Sequence, residues 1–185
     1  GIIKLPSISN FSDFDPLENE KSIFIEWIKE SQNLSKYDFI ILPGSKQTIK
    51  DQIFLEKSGL SQDIKEYSSN KGHIIGICGG LQMLGTLLED PFLKEGAKTY
   101  SENKIKGIGL LPLKTTFFEK KLTRQISSES LWPCHSKING FEIHNGKTEL
   151  NKTKNTQKIK PIFKDLELGW YTEKKKGGTV SGTYI

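Results

Sequence analysis

Residues 76–85 read Gly76-Ile77-Cys78-Gly79-Gly80-Leu81-Gln82-Met83-Leu84-Gly85. Residues 73–78, which overlap the start of this stretch, form a short apolar run that is typical of a buried parallel strand. Residues 81–88 follow with leucines that are spaced for one face of a helix. Because two glycines separate these patterns, the sequence predicts a strand that turns sharply into a helix directly after Cys78.

A cysteine at such a turn is a candidate nucleophile. Flanking glycines permit the strained backbone of a nucleophile elbow and the close approach of a substrate. The start of the helix offers free N–H groups and a positive dipole end, which predict a lowered pKa for the Cys78 thiol. The N–H of Gly79 is placed to donate to an oxyanion. The alternative is a cysteine of the hydrophobic core, which the glycines disfavour.

The first half of the chain alternates strands and helices. Residues 22–28 and 37–42 are predicted strands, because they are rich in β-branched and aromatic side chains. Residues 45–57 and 60–67 are predicted helices, with Gly59 as the stop between them. This alternation predicts βαβ units and a parallel sheet covered by helices on both faces.

The second half is predicted to be richer in strands. Polar loops join four candidate strands, at residues 107–118, 136–144, 168–172 and 179–185. Residues 151–160 have almost no apolar content, so we expect a mobile loop there. The fold class that follows is an α/β sandwich with mixed-sheet additions in the second half.

Composition fits one soluble domain of 185 residues. The 27 Lys and Arg exceed the 22 Asp and Glu, for a net charge of +5, but the basic runs lack interleaved aromatic residues, so no nucleic-acid partner is expected. No apolar run approaches the roughly 20 residues of a membrane helix, so no membrane partner is expected either. Two cysteines, Cys78 and Cys134, give no disulfide framework, which favours a cytoplasmic location.

The pattern Gly76-x-Cys78-x-Gly80-x-Gln82 resembles the nucleophile motif of class I, or triad-type, glutamine amidotransferases. Its longer form, residues 76–85, resembles the branch formed by cobyric acid synthases and cobyrinic acid diamide synthases. Residues 5–17, 42–49 and 140–148 resemble three further segments of that branch, and residues 5–17 favour the cobyric acid synthases. The resemblance implies a class I glutamine amidotransferase-like sandwich with a mainly parallel central sheet.

The resemblance also assigns roles to residues. It implies that Cys78 is the catalytic nucleophile and that the N–H groups of Gly44 and Gly79 form the oxyanion hole. The residue at Gln82 helps to bind the substrate glutamine in that family. Two residues of the 140–148 segment, Glu142 and His144, are also expected to line the substrate. A direct catalytic role for His144, or an orienting role for Glu142 toward a histidine, stays open.

A cysteine nucleophile needs a base, and the sequence holds three histidines. His73 is expected at the far end of its strand from Cys78. His135 adjoins Cys134, but no further ligands lie nearby, so no metal site is expected. Residues 180–185 resemble the family segment whose next residue is the catalytic histidine. We therefore expect that histidine directly after Ile185, and an inactive fragment without it.

The resemblance also implies a larger protein. Residues 1–18 would be the linker and first strand from an N-terminal ATP-dependent synthetase domain, and residues 19–185 an amidotransferase domain truncated at its C-terminus. Glutamine would supply ammonia for amidation of a corrinoid, adenosylcobyrinic acid a,c-diamide. ATP and magnesium are expected on the synthetase domain, and no cofactor on this chain.

Three alternatives to this interpretation stay open. The first is a cobyrinic acid a,c-diamide synthase or a cell-wall-precursor amidotransferase subunit. The second is a catalytically inactive binding module of the same fold, and the third is a cysteine hydrolase of the related elbow-cysteine superfamily. Residues 8–17 disfavour the first. A residue other than histidine after Ile185 would favour the second. The third would not need Gln82 four residues after the nucleophile.

Overall fold

The computed structural model describes residues 1–95, 103–151 and 159–185. Its elements in chain order are β1 (Ile2–Ile3), a 3-10 turn (Ser12–Phe14), α1 (Asp15–Glu18), β2 (Trp27–Ile28), β3 (Ile40–Leu42), α2 (Thr48–Ser58), α3 (Leu60–Ser69), β4 (His73–Ile77), α4 (Gly79–Leu84), β5 (Leu87–Glu89), β6 (Lys104–Lys106), β7 (Leu113–Thr116), β8 (Leu122–Ser130), β9 (Ser136–His144), β10 (Lys147–Leu150), β11 (Lys160–Pro161), β12 (Gly169–Glu173) and β13 (Thr179–Thr183). Within these ranges no helix has the length and apolar content needed to cross a membrane.

A seven-stranded sheet in the order β11-β12-β13-β4-β3-β1-β2 forms the centre of the fold. The strands from β13 to β2 are parallel, whereas β12 runs antiparallel to both of its neighbours. A second, mixed sheet has the order β10-β7-β5-β6, and β8 and β9 form a separate two-stranded hairpin. The predicted α/β class, with a mainly parallel sheet and mixed additions in the second half, is confirmed.

The central strands are short and buried. Ile40, Leu42 and Ile74, in the neighbouring strands β3 and β4, are fully shielded from solvent. The predicted helices after β3 are confirmed as α2 and α3. Gly59 separates them with a φ of 86°, a left-handed conformation that glycine adopts without the steric cost other residues incur.

Two predictions in the first half are wrong in part. The leucine-rich helix predicted over residues 81–88 ends at Leu84, and Leu87 and Leu88 belong to β5. The reason is tertiary, because β5 gains hydrogen-bonded partners in both β6 and β7. In the strand predicted over residues 22–28, only Trp27–Ile28 pairs, with β1, while Phe24 is 88% exposed.

In the second half of the chain, three predicted strands are confirmed and one is shorter than predicted. The strand at residues 136–144 is confirmed as β9, and those near residues 168–172 and 179–185 are confirmed as β12 and β13. The strand predicted over residues 107–118 is restricted to Leu113–Thr116, and β8 was not predicted. Most of residues 151–160, predicted to form a mobile loop, lie outside the described residues.

The turn from β4 to α4 depends on close backbone contact. A Cβ atom on Gly80 would lie 1.9 Å from the carbonyl oxygen of Leu42, at the end of β3. A Cβ on Gly76 would lie 2.6 Å from the carbonyl carbon of Gly80. No real structure tolerates such distances, so these two glycines allow α4 to begin directly against the sheet.

We therefore predict that Gly80→Ala lowers the free energy of unfolding by about 3 kcal/mol or more, because the backbone must shift to admit the methyl group. Gly109→Ala is the matched control, since Gly109 has a φ of 81° but no atom within 4 Å of its Cβ position. Gly109→Ala should lower the free energy of unfolding by only about 1–2 kcal/mol, which is the cost of a left-handed conformation for a residue other than glycine. Urea unfolding of both variants measures the difference, and equal losses would contradict the close-contact argument.

Candidate active site

Cys78 occupies a strained backbone position between strand and helix. Its φ and ψ are 51° and −107°, in a region that non-glycine residues rarely adopt. The turn is fixed on its strand side by a hydrogen bond of 2.7 Å from the Cys78 N–H to the carbonyl of Thr183 in β13. The sharp strand-to-helix turn predicted from the sequence is therefore present, with the cysteine at its apex.

A cleft of about 790 Å³ opens beside this turn. Among its lining residues are Gly44, Cys78, Gln82, His144 and Ile185. The loop after β3, the start of α4, the end of β9 and the segment after β13 thus converge on one space. The volume suits a small-molecule substrate.

The Cys78 thiol is held as a neutral donor. Its sulfur donates a hydrogen bond to the carbonyl oxygen of Ile143, at 3.4 Å. Burial raises the pKa of Cys78 to about 11, and the hydrogen bond from the Gly79 N–H offsets this only in part. The lowered pKa expected from the sequence is thus wrong for this state, because desolvation outweighs the start of the six-residue helix α4.

Gly44 lies across from the nucleophile. A Cβ atom on Gly44 would come 3.8 Å from the Cβ of Cys78 and 2.5 Å from Oγ of Ser9. The Ser9 N–H in turn donates to the Gly44 carbonyl at 2.9 Å. The two residues predicted to form an oxyanion hole therefore flank Cys78, with Gly44 in the loop after β3 and Gly79 at the start of α4. The segment that contains Ser9 holds the Gly44 loop in place.

Gln82 lies in the cleft wall with its amide engaged by protein groups. Its Nε2 donates to the carbonyl of Asn145 at 2.8 Å and to the hydroxyl of Tyr184 at 3.2 Å. Its Oε1 accepts from the Thr48 hydroxyl at 3.3 Å. Gln82 thus fastens the chain after β9 to the nucleophile turn, and its predicted contact with substrate remains a prediction.

Glu142 and His144, predicted to line the substrate, face inward from β9 and contact each other. Glu142 Oε1 lies 2.9 Å from His144 Nε2, and Glu142 Oε2 lies 2.5 Å from Arg124 Nε on the paired strand β8. The His144 ring also stacks on Tyr184, with the ring centroids 3.7 Å apart. Only His144 of the Glu142–His144 pair is among the residues that line the cleft.

The sequence did not single out Glu95, a buried acid that lines the cleft. Its Oε2 accepts a hydrogen bond of 2.6 Å from the backbone N–H of Thr48, at the start of α2. Burial raises the pKa of Glu95, and the hydrogen bond from Thr48 offsets only part of this rise. An isolated acid in a polar loop carries no sequence signal, so only the fold identifies it.

Three residues considered from the sequence lie away from this cleft. His73 begins β4 and is exposed, with Nδ1 3.0 Å from the Thr179 hydroxyl. His135 is exposed and lies 3.7 Å from a carboxylate oxygen of Glu129. Cys134 is exposed as well. The far-end position predicted for His73 is confirmed.

The raised pKa of Cys78 gives a direct test. Because burial disfavours the thiolate, the thiol stays protonated at neutral pH and ionises only as the pH approaches about 11. In a Cys134→Ser background, the rate at which iodoacetamide alkylates Cys78 should therefore keep rising between pH 8 and pH 10. A rate that has already levelled off at pH 8 would contradict the effect of burial.

Comparisons with known proteins identify the family. The family profile described as "CobB/CobQ-like glutamine amidotransferase domain" matches residues 1–185. The cobyric acid synthase of Prochlorococcus marinus strain AS9601 is 85% identical to this chain, and that of strain NATL2A is 50% identical. Each match covers 100% of this chain. The chain spans 36% of the length of either relative.

Solved structures share the fold. A crystal structure of a glutamine amidotransferase superposes with a TM-score of 0.67 at 12% identity, covering 100% of this chain and 89% of its own. A glutamine amidotransferase from Thermotoga maritima gives 0.62 at 16% identity, with 99% and 73% coverage. With the family profile matched over all 185 residues, this chain belongs to the CobB/CobQ-like glutamine amidotransferase domain family.

Proposed function

We propose that this chain is the glutamine-hydrolysing domain of a cobyric acid synthase and that Cys78 is its nucleophile. The observation that carries the proposal is the position of Cys78, at the apex of a strained turn and on the wall of a cleft of about 790 Å³. Family membership over the whole chain supports the class of reaction. The names of the relatives favour the cobyric acid synthases over the cobyrinic acid diamide synthases.

The first step is acyl transfer to sulfur. The Cys78 thiol loses its proton to a base, and the sulfur attacks the side-chain amide carbon of glutamine. The carbonyl oxygen becomes an oxyanion, which the N–H groups of Gly44 and Gly79 stabilise. Their positions on either side of Cys78 support this assignment.

The base is the residue that follows Ile185, a histidine by resemblance to the family. Two contacts support a base that reaches the thiol from the end of β13. The Cys78 N–H is bonded to Thr183 in β13, and Ile185 lines the same cleft as the thiol. Because burial keeps the thiol protonated at neutral pH, a base beside it is required before attack.

The second half of the reaction restores the enzyme. The protonated base donates its proton to the leaving nitrogen as the C–N bond breaks, which releases ammonia and leaves a thioester on Cys78. The same base then takes a proton from water, whose oxygen attacks the thioester. Glutamate leaves, and the thiol regains a proton. Gln82 and Glu95, which line the cleft, hold the substrate. The Glu95 carboxylate pairs with the α-ammonium group of glutamine.

The remainder of the protein uses the ammonia. The chain spans 36% of the length of the cobyric acid synthase from strain AS9601, which leaves room for a synthetase domain in the same polypeptide. We assign ATP and magnesium to that domain, and adenosylcobyrinic acid a,c-diamide as the corrinoid that it amidates. The domain described here would act as its source of ammonia.

In the full-length protein, Cys78→Ala should abolish amidation with glutamine, by about 10⁴-fold or more, and leave amidation with free ammonia within about twofold. The physical reason is that free ammonia bypasses the thioester. Corrinoid products separated by liquid chromatography measure both activities. Cys134→Ala is the matched control, because Cys134 is exposed and away from the cleft, and it should change neither activity.

Loss of both activities in Cys78→Ala would mean that Cys78 supports the structure. Glutamine-dependent activity that survives in Cys78→Ala would place the nucleophile elsewhere. Either result would overturn the proposed function.

A further inference from the structure

The end of β9 controls two contacts at the nucleophile. The Ile143 carbonyl accepts the hydrogen bond from Cys78, and the Asn145 carbonyl accepts one from Gln82. Between them lies His144, whose ring lines the cleft and stacks on Tyr184. The orientation of His144 therefore affects the wall against which a substrate lies.

A buried carboxylate holds His144 from behind. Glu142 is 3% exposed, and its two oxygens have different partners. Oε2 contacts Arg124 Nε at 2.5 Å, and Oε1 contacts His144 Nε2 at 2.9 Å. Arg124 lies directly opposite Glu142 in the β8–β9 register, with half of its side chain in solvent. A buried carboxylate needs such partners, and Arg124 places a positive charge directly against it.

This contact determines which nitrogen of His144 carries the proton. An ionised carboxylate can only accept hydrogen bonds, so the Nε2 that faces Glu142 must carry a hydrogen. In the neutral ring Nδ1 is then a bare acceptor. Nδ1 is buried and, within the part of the chain that the structure describes, has no hydrogen-bond partner. A buried acceptor without a donor, on a ring that lines a cleft, indicates a donor on the ligand.

We propose that Arg124 is a positioning residue for glutamine hydrolysis: through Glu142 it holds His144 with the proton on Nε2, so that Nδ1 accepts a hydrogen bond from an N–H group of bound glutamine. The inference rests on the proposed function. It differs from the sequence-based expectation, because Glu142 acts on the substrate only through His144. Arg124 had no assigned role.

Loss of the arginine should loosen the contact that positions His144. Without the guanidinium, Oε2 of Glu142 loses its partner on β8, so the carboxylate no longer has one fixed orientation. The His144 ring is then held less firmly, and Nδ1 is no longer aimed at the N–H group of the substrate.

The test uses the full-length protein and the steady-state kinetics of glutamine hydrolysis at pH 8. Arg124→Met should raise KM for glutamine about three- to tenfold, the range of one hydrogen bond. Arg124→Lys keeps the charge and should restore most of the loss. Lys137→Met, an exposed cation on the same hairpin, is the control that should behave as wild type. Thermal unfolding of each variant reports whether it is folded.

Two glutamine analogues identify the N–H group. Glutaramate lacks the α-ammonium group, and glutamate γ-methyl ester lacks the side-chain N–H. The KM penalty of Arg124→Met should vanish with whichever analogue lacks the group that His144 binds. A penalty that persists with both analogues, or an Arg124→Met variant whose KM matches wild type, would overturn the inference. Cys78→Ala tests the proposed function separately.

A second readout needs no change at Arg124. Nitrogen NMR of histidine-labelled wild-type protein, assigned by comparison with His144→Asn, should show a protonated Nε2 and a bare Nδ1 on His144 at pH 8. A proton on Nδ1 would overturn the inference even if Arg124→Met failed to fold.

Discussion

The site depends on how closely two pieces of backbone approach. No side-chain carbon separates Gly80 from the carbonyl of Leu42, where a Cβ atom would leave only 1.9 Å. This contact lets α4 begin directly at the end of the sheet and leaves Cys78 in its strained conformation, with a φ of 51°. Larger residues at Gly76 or Gly80 would push the turn away from the sheet and separate the thiol from the Gly44 loop.

Once the turn is formed, the surrounding chain both shields and restrains the thiol. The Ile143 carbonyl accepts its hydrogen bond, and burial raises its pKa to about 11. The thiol is then mostly protonated at neutral pH, so the proposed attack on glutamine requires a base. Gln82 and the Arg124–Glu142–His144 series connect the same turn to β9, which ties the position of the substrate wall to the nucleophile.

Much of the fold and of the candidate site could be predicted from the sequence, because local signals agreed with tertiary structure there. The strand at β4, the helix stop at Gly59 and the glycines around Cys78 are examples. Leu87 and Leu88 misled the helix prediction, because their spacing also suits a strand and only β6 and β7 decide between them. The mainly exposed strand β8 and the buried acid Glu95 lack any local pattern, and the pKa of Cys78 depends on desolvation that spacing cannot reveal.

The central claim is that Cys78 attacks the side chain of bound glutamine. A diazoketone analogue of glutamine presents an electrophilic carbon where the amide would lie, and it alkylates a nucleophile that recognises the amino acid. Incubation with the full-length protein, followed by peptide mass spectrometry, should find the adduct on Cys78 alone, and excess glutamine should prevent it. An adduct on the exposed Cys134, or labelling of Cys78 that glutamine does not slow, would contradict the account.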